Sequence, residues 1–308
     1  MNAIEVKELS KEYEGNYVVD HISFYVPEGS VFGFIGPNGA GKTTTLNMLT
    51  GLRQKTSGSI RYFGEEVDFK KLKTRFDFGY LPDVPGYYHW MTAKEFLYLC
   101  GKLFGMEDSV LQSRINMLLK EVGLENNDKK LSSYSRGMKQ RVGIAQALIH
   151  NPKIIFLDEP VSALDPIGRK DIMDIIRNLS KNVTVFFSSH ILSDVETICD
   201  RIAILNHGKI EECDTIRNVK KKYSVEQLCC EIAKGDVTKL VNLVKEYEWV
   251  NKVDLLDERR FVIDTKDIKE TQQRIMKLSV EEGIYFQNFS VTEKSLDDIF
   301  MEVVTENE

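Results

Sequence analysis

The stretch from Val31 to Leu49 reads VFGFIGPNGAGKTTTLNML. Val31–Ile35 is an apolar run of strand length. Thr43–Leu49 has the character of a helix, which Gly51 ends as a C-cap. Between them, Gly36-Pro37-Asn38-Gly39-Ala40-Gly41-Lys42-Thr43 matches G-x-x-x-x-G-K-[ST], the phosphate-loop pattern. Phosphate oxygens need many donors at short range. Glycines let successive backbone N–H groups turn inward as an anion nest, and a helix beginning near Lys42 adds its positive dipole end. The pattern assigns Lys42 to the β- and γ-phosphates and the Thr43 hydroxyl to Mg²⁺. A chance glycine-rich turn is the bland alternative, and strand, loop and helix in register speak against it. Alone, the loop leaves NTPases and kinases both open.

Outward from this loop, apolar strands alternate with helices over the first ~215 residues. Ala3–Leu9, Val18–Val26, Ser30–Ile35, Ser59–Phe63 and Phe78–Leu81 read as strands. A helical region runs from about Thr92 to His150, broken at Gly105 and Gly123. Strand Ile154–Leu157, helix Pro166–Leu179, strand Val183–Ser188, helix Leu192–Ile198 and strand Arg201–Asn206 follow. The alternation predicts an α/β core with a mainly parallel sheet.

Three further stretches narrow the chemistry. Ile154-Ile155-Phe156-Leu157-Asp158-Glu159 is a continuous apolar run ending in two carboxylates. Such runs are buried parallel strands, and ligands collect at the C-terminal ends of strands in open α/β sheets. Asp158 is placed to hold Mg²⁺ through water, and Glu159 to act as general base on an attacking water. Tyr134-Ser135-Arg136-Gly137-Met138 opens a helix with Ser135 as N-cap, 23 residues before Asp158. His190 ends the next strand, 32 residues beyond Asp158, where it can point at the same pocket.

Taken together, GPNGAGKT, YSRGMKQR, FLDEP, Ser162-Ala163-Leu164-Asp165 and His190 occur in the order seen in ATP-binding cassette (ABC) ATPases, which residues 1–215 resemble. The resemblance implies a P-loop NTPase of ABC type over residues 1–216, with a helical subdomain at about 87–150. It implies ATP and Mg²⁺ as ligands. Gly36, Pro37, Asn38, Gly39, Ala40, Gly41, Lys42, Thr43 and Thr44 would cradle the phosphates, and Thr43 and Asp158 would bind the metal. Tyr13 would stack on the adenine, with Tyr17 a nearby rival. Glu159, His190 and Lys42 would carry the catalysis. Ser135 and Gly137 would cap the γ-phosphate of an ATP held by a second nucleotide-binding subunit, identical or not, and Asp165 would lie at that interface.

The chain departs from the family pattern twice. Its signature reads YSRGM where LSGGQ is common, so Arg136 adds a positive charge beside the cap. After strand Phe78–Leu81 it has Asp83 where most relatives carry a Gln that contacts Mg²⁺ and water. Asp83 either binds the metal more strongly than the Gln or swings out and leaves coordination to water. The loop Pro82–Tyr88 is expected to link ATP to a membrane partner. Tyr87, Tyr88 and Trp90 fit either a docking surface there or local packing of the helical subdomain.

The composition fixes the setting. The chain has 308 residues, the length of two ordinary domains, with 41 Lys and Arg against 47 Asp and Glu. A net charge of −6 argues against a nucleic-acid coat protein, and no nucleic-acid partner is expected. No run approaches the ~20 apolar residues of a spanning helix, and the N-terminus lacks a signal-peptide pattern. The expectation is a cytoplasmic chain, peripheral at the inner face of the cell membrane through permease subunits. Five cysteines, none at zinc-like spacing, read as structural thiols. A soluble ABC ATPase acting on ribosomes or DNA is the rival class, and it usually carries two cassettes, coiled-coil arms or zinc modules.

A domain boundary is expected near Arg217–Ser224, where Lys220, Lys221 and Lys222 read as a solvated helix end. Beyond it come an alternating strand at Leu228, Cys230 and Ile232, a helix Val237–Glu248, and a hairpin of Trp249–Leu255 and Phe261–Thr265. A helix at Asp267–Glu282, a strand Tyr285–Val291 and a short helix Ser295–Val304 complete the chain. The order βαββαβ then α predicts a small α+β, split-βαβ module over residues 217–308. This tail resembles the accessory domain on the nucleotide-binding subunits of one bacterial exporter branch, which implies export. A regulatory ligand-binding module is the other reading of the tail.

Overall fold

A computed structural model describes every residue except those numbered 72, 73, 75, 126, 127, 224–226, 266, 293 and 306–308. Ser224, which closes the expected boundary segment, lies outside the described residues. The chain falls into two compact units, Met1–Ile216 and Arg217–Glu308.

The first unit holds two sheets. Strands β1 (Asn2–Tyr13), β2 (Asn16–Pro27), β4 (Ser57–Tyr62) and β5 (Glu65–Glu66) form an antiparallel sheet in the order β2-β1-β4-β5. Strands β3 (Val31–Ile35), β6 (Phe78–Leu81), β7 (Ile154–Asp158), β8 (Thr184–Ser189), β9 (Arg201–Asn206) and β10 (Lys209–Thr215) form the second, in the order β10-β9-β3-β8-β7-β6. Its four pairings from β9 to β6 join parallel neighbours, and β10 runs antiparallel at the edge. Three helices flank this sheet in sequence: α1 (Lys42–Leu49), α5 (Pro166–Leu179) and α6 (Leu192–Ile198). Three others, α2 (Ala93–Leu103), α3 (Asp108–Glu121) and α4 (Arg136–Ala147), fill the span expected to be helical.

The parallel strands are mostly apolar because both faces are covered. Every residue of β3, β7 and β8 is buried. Phe32, Phe34 and Phe186 from the parallel sheet stack on Phe24 of β2, with ring centroids 5.3 to 6.0 Å apart. These rings join the two sheets in one core. Each fully buried ring or branched side chain contributes about 1.5–3 kcal/mol.

The mainly parallel sheet is present, but the N-terminal strands are not part of it. Period-2 patterning identifies a strand without saying which sheet it joins. Strand β10 was not expected. Its residues are partly exposed and polar, and it is held by a two-residue turn after β9, His207-Gly208.

Local signals set the helix starts. Thr92 and Glu95 form a capping box at α2. Ser135 caps α4 by accepting from Met138 N–H, and Asp165 caps α5 by accepting from Gly168 N–H, with Pro166 in the first turn. Gly51, at φ 74°, follows α1 in the left-handed region that glycine favours.

The second unit has one antiparallel sheet in the order β12-β13-β11-β14. Its strands are β11 (Gln227–Lys234), β12 (Val250–Leu255), β13 (Arg260–Thr265) and β14 (Tyr285–Thr292). Helix α8 (Val237–Lys245) connects β11 to β12, with β13 inserted between those strands. Helix α9 (Ile268–Glu281) connects β13 to β14, with β11 inserted between them. That is the split-βαβ arrangement read from the sequence. Val237, Leu240, Val241 and Val244 form the buried stripe of α8 and share a core with Leu228, Cys230, Phe261 and Ile263. The Lys220–Lys222 run is the last turn of α7 (Ile216–Tyr223), and α10 (Leu296–Thr305) is the last described helix.

Candidate functional site

The phosphate-loop pattern lies between the C-terminal end of β3 and α1, beside the C-terminal ends of β7 and β8. A cavity of about 440 Å³ opens there, lined by Asn38, Gly39, Gly41, Lys42, Thr43, Thr44, Asp83, Glu159 and His190, together with Val18 and Ser162. Two glycines are dictated by space. A Cβ on Gly36 would stand 2.3 Å from the Leu205 carbonyl oxygen. Gly41, at φ 106°, would meet the Val18 carbonyl oxygen at 2.6 Å. The loop therefore packs backbone against backbone, leaving its interior to a ligand.

Lys42 is only 6% exposed. Its Nζ donates to the carbonyl oxygens of Gly36 (2.7 Å) and Pro37 (3.2 Å) and lies 3.7 Å from Glu159 Oε1. Burial lowers its pKa, opposed by the charges of Glu159 and Asp158. Glu159 sits in the left-handed region at φ 49°, unusual for a residue with a side chain. Its N–H donates to the Oγ and carbonyl oxygen of Ser188, and its Oε2 lies 2.8 Å from His190 Nδ1. Burial pushes the Glu159 pKa up, against the pull of His190 and Lys42. A carboxylate made harder to ionise, with an imidazole against it and an open cavity in front, can take a proton from water.

Asp158 is 1% exposed and accepts from Ser188 Oγ at 2.6 Å. Burial pushes its pKa up, against hydrogen bonds from Ser188 and Thr43, and the nearby Asp83 charge adds to the rise. A buried carboxylate beside a threonine hydroxyl is a set of hard oxygen donors. That set fits Mg²⁺, which keeps several of its waters and takes one or two protein oxygens. Among the described residues no cluster of three or more His, Cys, Asp or Glu could hold a metal by itself.

The remaining expected residues divide. Ser135, Gly137 and Asp165 line a different cavity, of about 610 Å³, with Arg136, Met138, Leu164 and Gly168. Tyr13 lies outside the lining of both cavities, and Lys11 Nζ and the Arg53 guanidinium stand 4.9 and 5.5 Å from its ring centre. Its rival Tyr17 packs against His21. Tyr87 donates to the Lys139 carbonyl at 2.6 Å and packs edge-on against Phe96, so it belongs to the helical packing. Tyr88 and Trp90 pair with each other and are 46% and 68% exposed.

Sequence reasoning passed over Ser188, which braces Asp158 and Glu159 together, and gave Ser162 no role. Ser188 stands two residues before His190 in the same strand end, a position that could have drawn notice. The five thiols are free, and burial pushes Cys100 and Cys213 up to about 11. Cys199 and Cys230 are buried, and the other three are half-buried.

Comparison with known proteins shows the family of the chain. Residues 19–162 match the family described as ABC transporter, and residues 215–304 match the C-terminal domain of DrrA1-3-like ATP-binding proteins. The chain is 38% identical to an uncharacterised ABC transporter ATP-binding protein, YxlF of Bacillus subtilis, over 98% of this chain and 99% of that one. It is 37% identical to the bacitracin transport ATP-binding protein BcrA of Bacillus licheniformis, over 98% and 97% of the two chains. Among solved structures, a dimeric ATP-binding cassette bound to ADP and phosphate in a post-hydrolysis state superposes with a TM-score of 0.63. The identity is 28%, over 70% of this chain and 99% of that one.

Proposed function

The chain belongs to the ATP-binding subunits of ABC transporters, and from that membership we propose that it powers a separate integral membrane permease, in export. It is an ABC-type ATPase. The observation that carries the reading is the cluster of Lys42, Glu159 and His190 around one cavity at the phosphate loop.

In this reading ATP enters with its phosphates against the loop Gly36–Thr44, and Tyr13 meets the adenine. Lys42 exchanges the Gly36 and Pro37 carbonyls for the β- and γ-phosphate oxygens. Thr43 and Asp158 would hold Mg²⁺, with Asp83 at the edge of the site, and the ion would supply neutralisation of the phosphate charge. Glu159 accepts the proton of the attacking water, while His190 orients that carboxylate and reaches toward the γ-phosphate. Ser135 and Gly137 of one subunit cap the ATP of a second nucleotide-binding subunit, identical or different, and Asp165 lines the contact between them. Each ATP then touches both subunits, so binding favours the closed pair and phosphate release reopens it.

Residues 1–216 form the nucleotide-binding domain, with residues 87–150 as its helical part, and 217–308 form an accessory domain that buttresses dimerisation or permease docking. Similarity to a bacitracin transport protein along nearly the whole chain supports transport of a cargo chosen by the permease. Among the described residues no helix is long and apolar enough to cross a membrane; membership of the family supports a peripheral place on the cytoplasmic side, held by the permease.

Isolation of the full chain from gently solubilised cells tests the partner. An integral membrane protein is expected to co-isolate in stoichiometric amount. Co-isolation with ribosomes or nucleic acid, lost on raising salt, would contradict the transport reading.

A further inference from the structure

Arg136 and Asp83, the two departures from the common family pattern, meet in the fold although 53 residues separate them in sequence. Arg136 Nη2 lies 3.7 Å from Asp83 Oδ1. Ser162 stands between them: its Oγ donates to Asp83 Oδ1 at 2.8 Å and accepts from Arg136 Nη2 at 3.2 Å. Gln140, one turn further along α4, reaches the Asp83 carbonyl oxygen at 3.5 Å. Asp83 and Ser162 line the phosphate-loop cavity, and Arg136 lines the cavity at the start of α4. The three side chains thus run from one cavity to the other.

A carboxylate lining a triphosphate site repels its ligand. Asp83 already adds to the rise of the Asp158 pKa, so its charge is felt at the loop. A guanidinium at 3.7 Å offsets that charge, and Ser162 keeps the two in register. We propose that Arg136 is a positioning residue that neutralises and holds Asp83 through Ser162, so that the two departures compensate each other and couple the two cavities. The proposal rests on ATP binding at the phosphate loop. Under it, Asp83 stays paired with Arg136 while ATP is bound, so a change at the start of α4 is felt at the phosphate loop.

A double-mutant cycle on the full chain tests this, with MgATP affinity and ATPase rate as readouts. Arg136→Gly leaves Asp83 uncompensated and is expected to weaken MgATP binding threefold or more. In the Asp83→Gln background the same change is expected to weaken it by less than half as much. Ser162→Ala is expected to reduce the coupling, and raising ionic strength to shrink it further, because both charged groups are about half exposed. Arg136→Lys keeps the charge and should lose less than Arg136→Gly, which separates charge from helix shape. Equal effects of Arg136→Gly in both backgrounds would overturn the proposal. So would equal losses for Arg136→Lys and Arg136→Gly. If Lys42→Ala leaves MgATP affinity unaltered, it is the nucleotide-site reading that fails; additivity with an intact Lys42 effect condemns the coupling alone.

Discussion

The two cavities of the first unit are built on opposite plans. The phosphate-loop cavity is an interior site. Lys42, Asp158 and Glu159 are buried there, and burial shifts the pKa of each toward its neutral form. Its charges are satisfied within the chain, by the Gly36 and Pro37 carbonyls, Ser188, Thr43 and His190. The cavity at the start of α4 is a surface site. Ser135 is exposed and its hydroxyl is engaged by the Met138 N–H, Arg136 is exposed, and Gly137 is half-buried. An interior site holds a ligand by exchanging internal partners for ligand atoms. A surface site gains its affinity only when another molecule covers it. The difference fits the proposed division of labour, in which one cavity binds and the other caps.

The largest effect that could break this comparison is at Lys42. Truncating a buried charged group that meets a ligand's opposite charge costs about 2–5 kcal/mol of binding, or roughly 30- to 4 × 10³-fold. Lys42→Ala is therefore expected to weaken MgATP binding by about that factor in equilibrium titration. A loss below tenfold would mean that the cavity does not bind as an interior site.

A second effect concerns pH and has a definite sign. The folded-state pKa of Glu159 lies above its ordinary value, so the ionised carboxylate is penalised by the fold at pH above that raised pKa. The penalty fades as pH falls through it. At neutral pH, Glu159→Gln should raise the melting temperature of the nucleotide-free chain, by about 2–4 °C for each kcal/mol relieved. Asp158→Asn should move it in the same direction. The acid limb of kcat/KM, which reports the free enzyme, should lie above the ordinary carboxylate range. A lower melting temperature in both variants would show that the charges stabilise the site rather than strain it.

The smallest effect sharpens the capping side. Ser135→Ala removes the α4 cap and should destabilise the fold by about 1 kcal/mol, read in denaturant unfolding. Its ATPase rate should fall more than its MgATP affinity, because the hydroxyl meets a nucleotide only across the subunit contact. Equal losses would place Ser135 at the chain's own nucleotide.

The contrast also explains what the sequence could reveal. The phosphate loop was readable because its chemistry is local: eight consecutive residues carry the turn, the nest and the lysine. Asp158, Glu159 and His190 were readable because strand ends in a parallel sheet share one edge. Ser188 was not, because its role is to bridge two strands whose register only the fold fixes. The Asp83–Ser162–Arg136 chain was hidden for the same reason, as its members come from three separate elements. The separate antiparallel sheet was missed because alternation marks a strand but not its neighbours. In the second unit the βαββαβ order sufficed, because connection lengths leave few alternatives to a split-βαβ sheet.

The central claim is that the interior cavity hydrolyses ATP with Glu159 as the base. The most direct measurement compares MgATP affinity and turnover of Glu159→Gln with those of the parent chain. Binding should be retained while kcat falls by about 10²- to 10⁴-fold, the range for loss of a general base. Turnover close to that of the parent, with ATP bound normally, would contradict the claim.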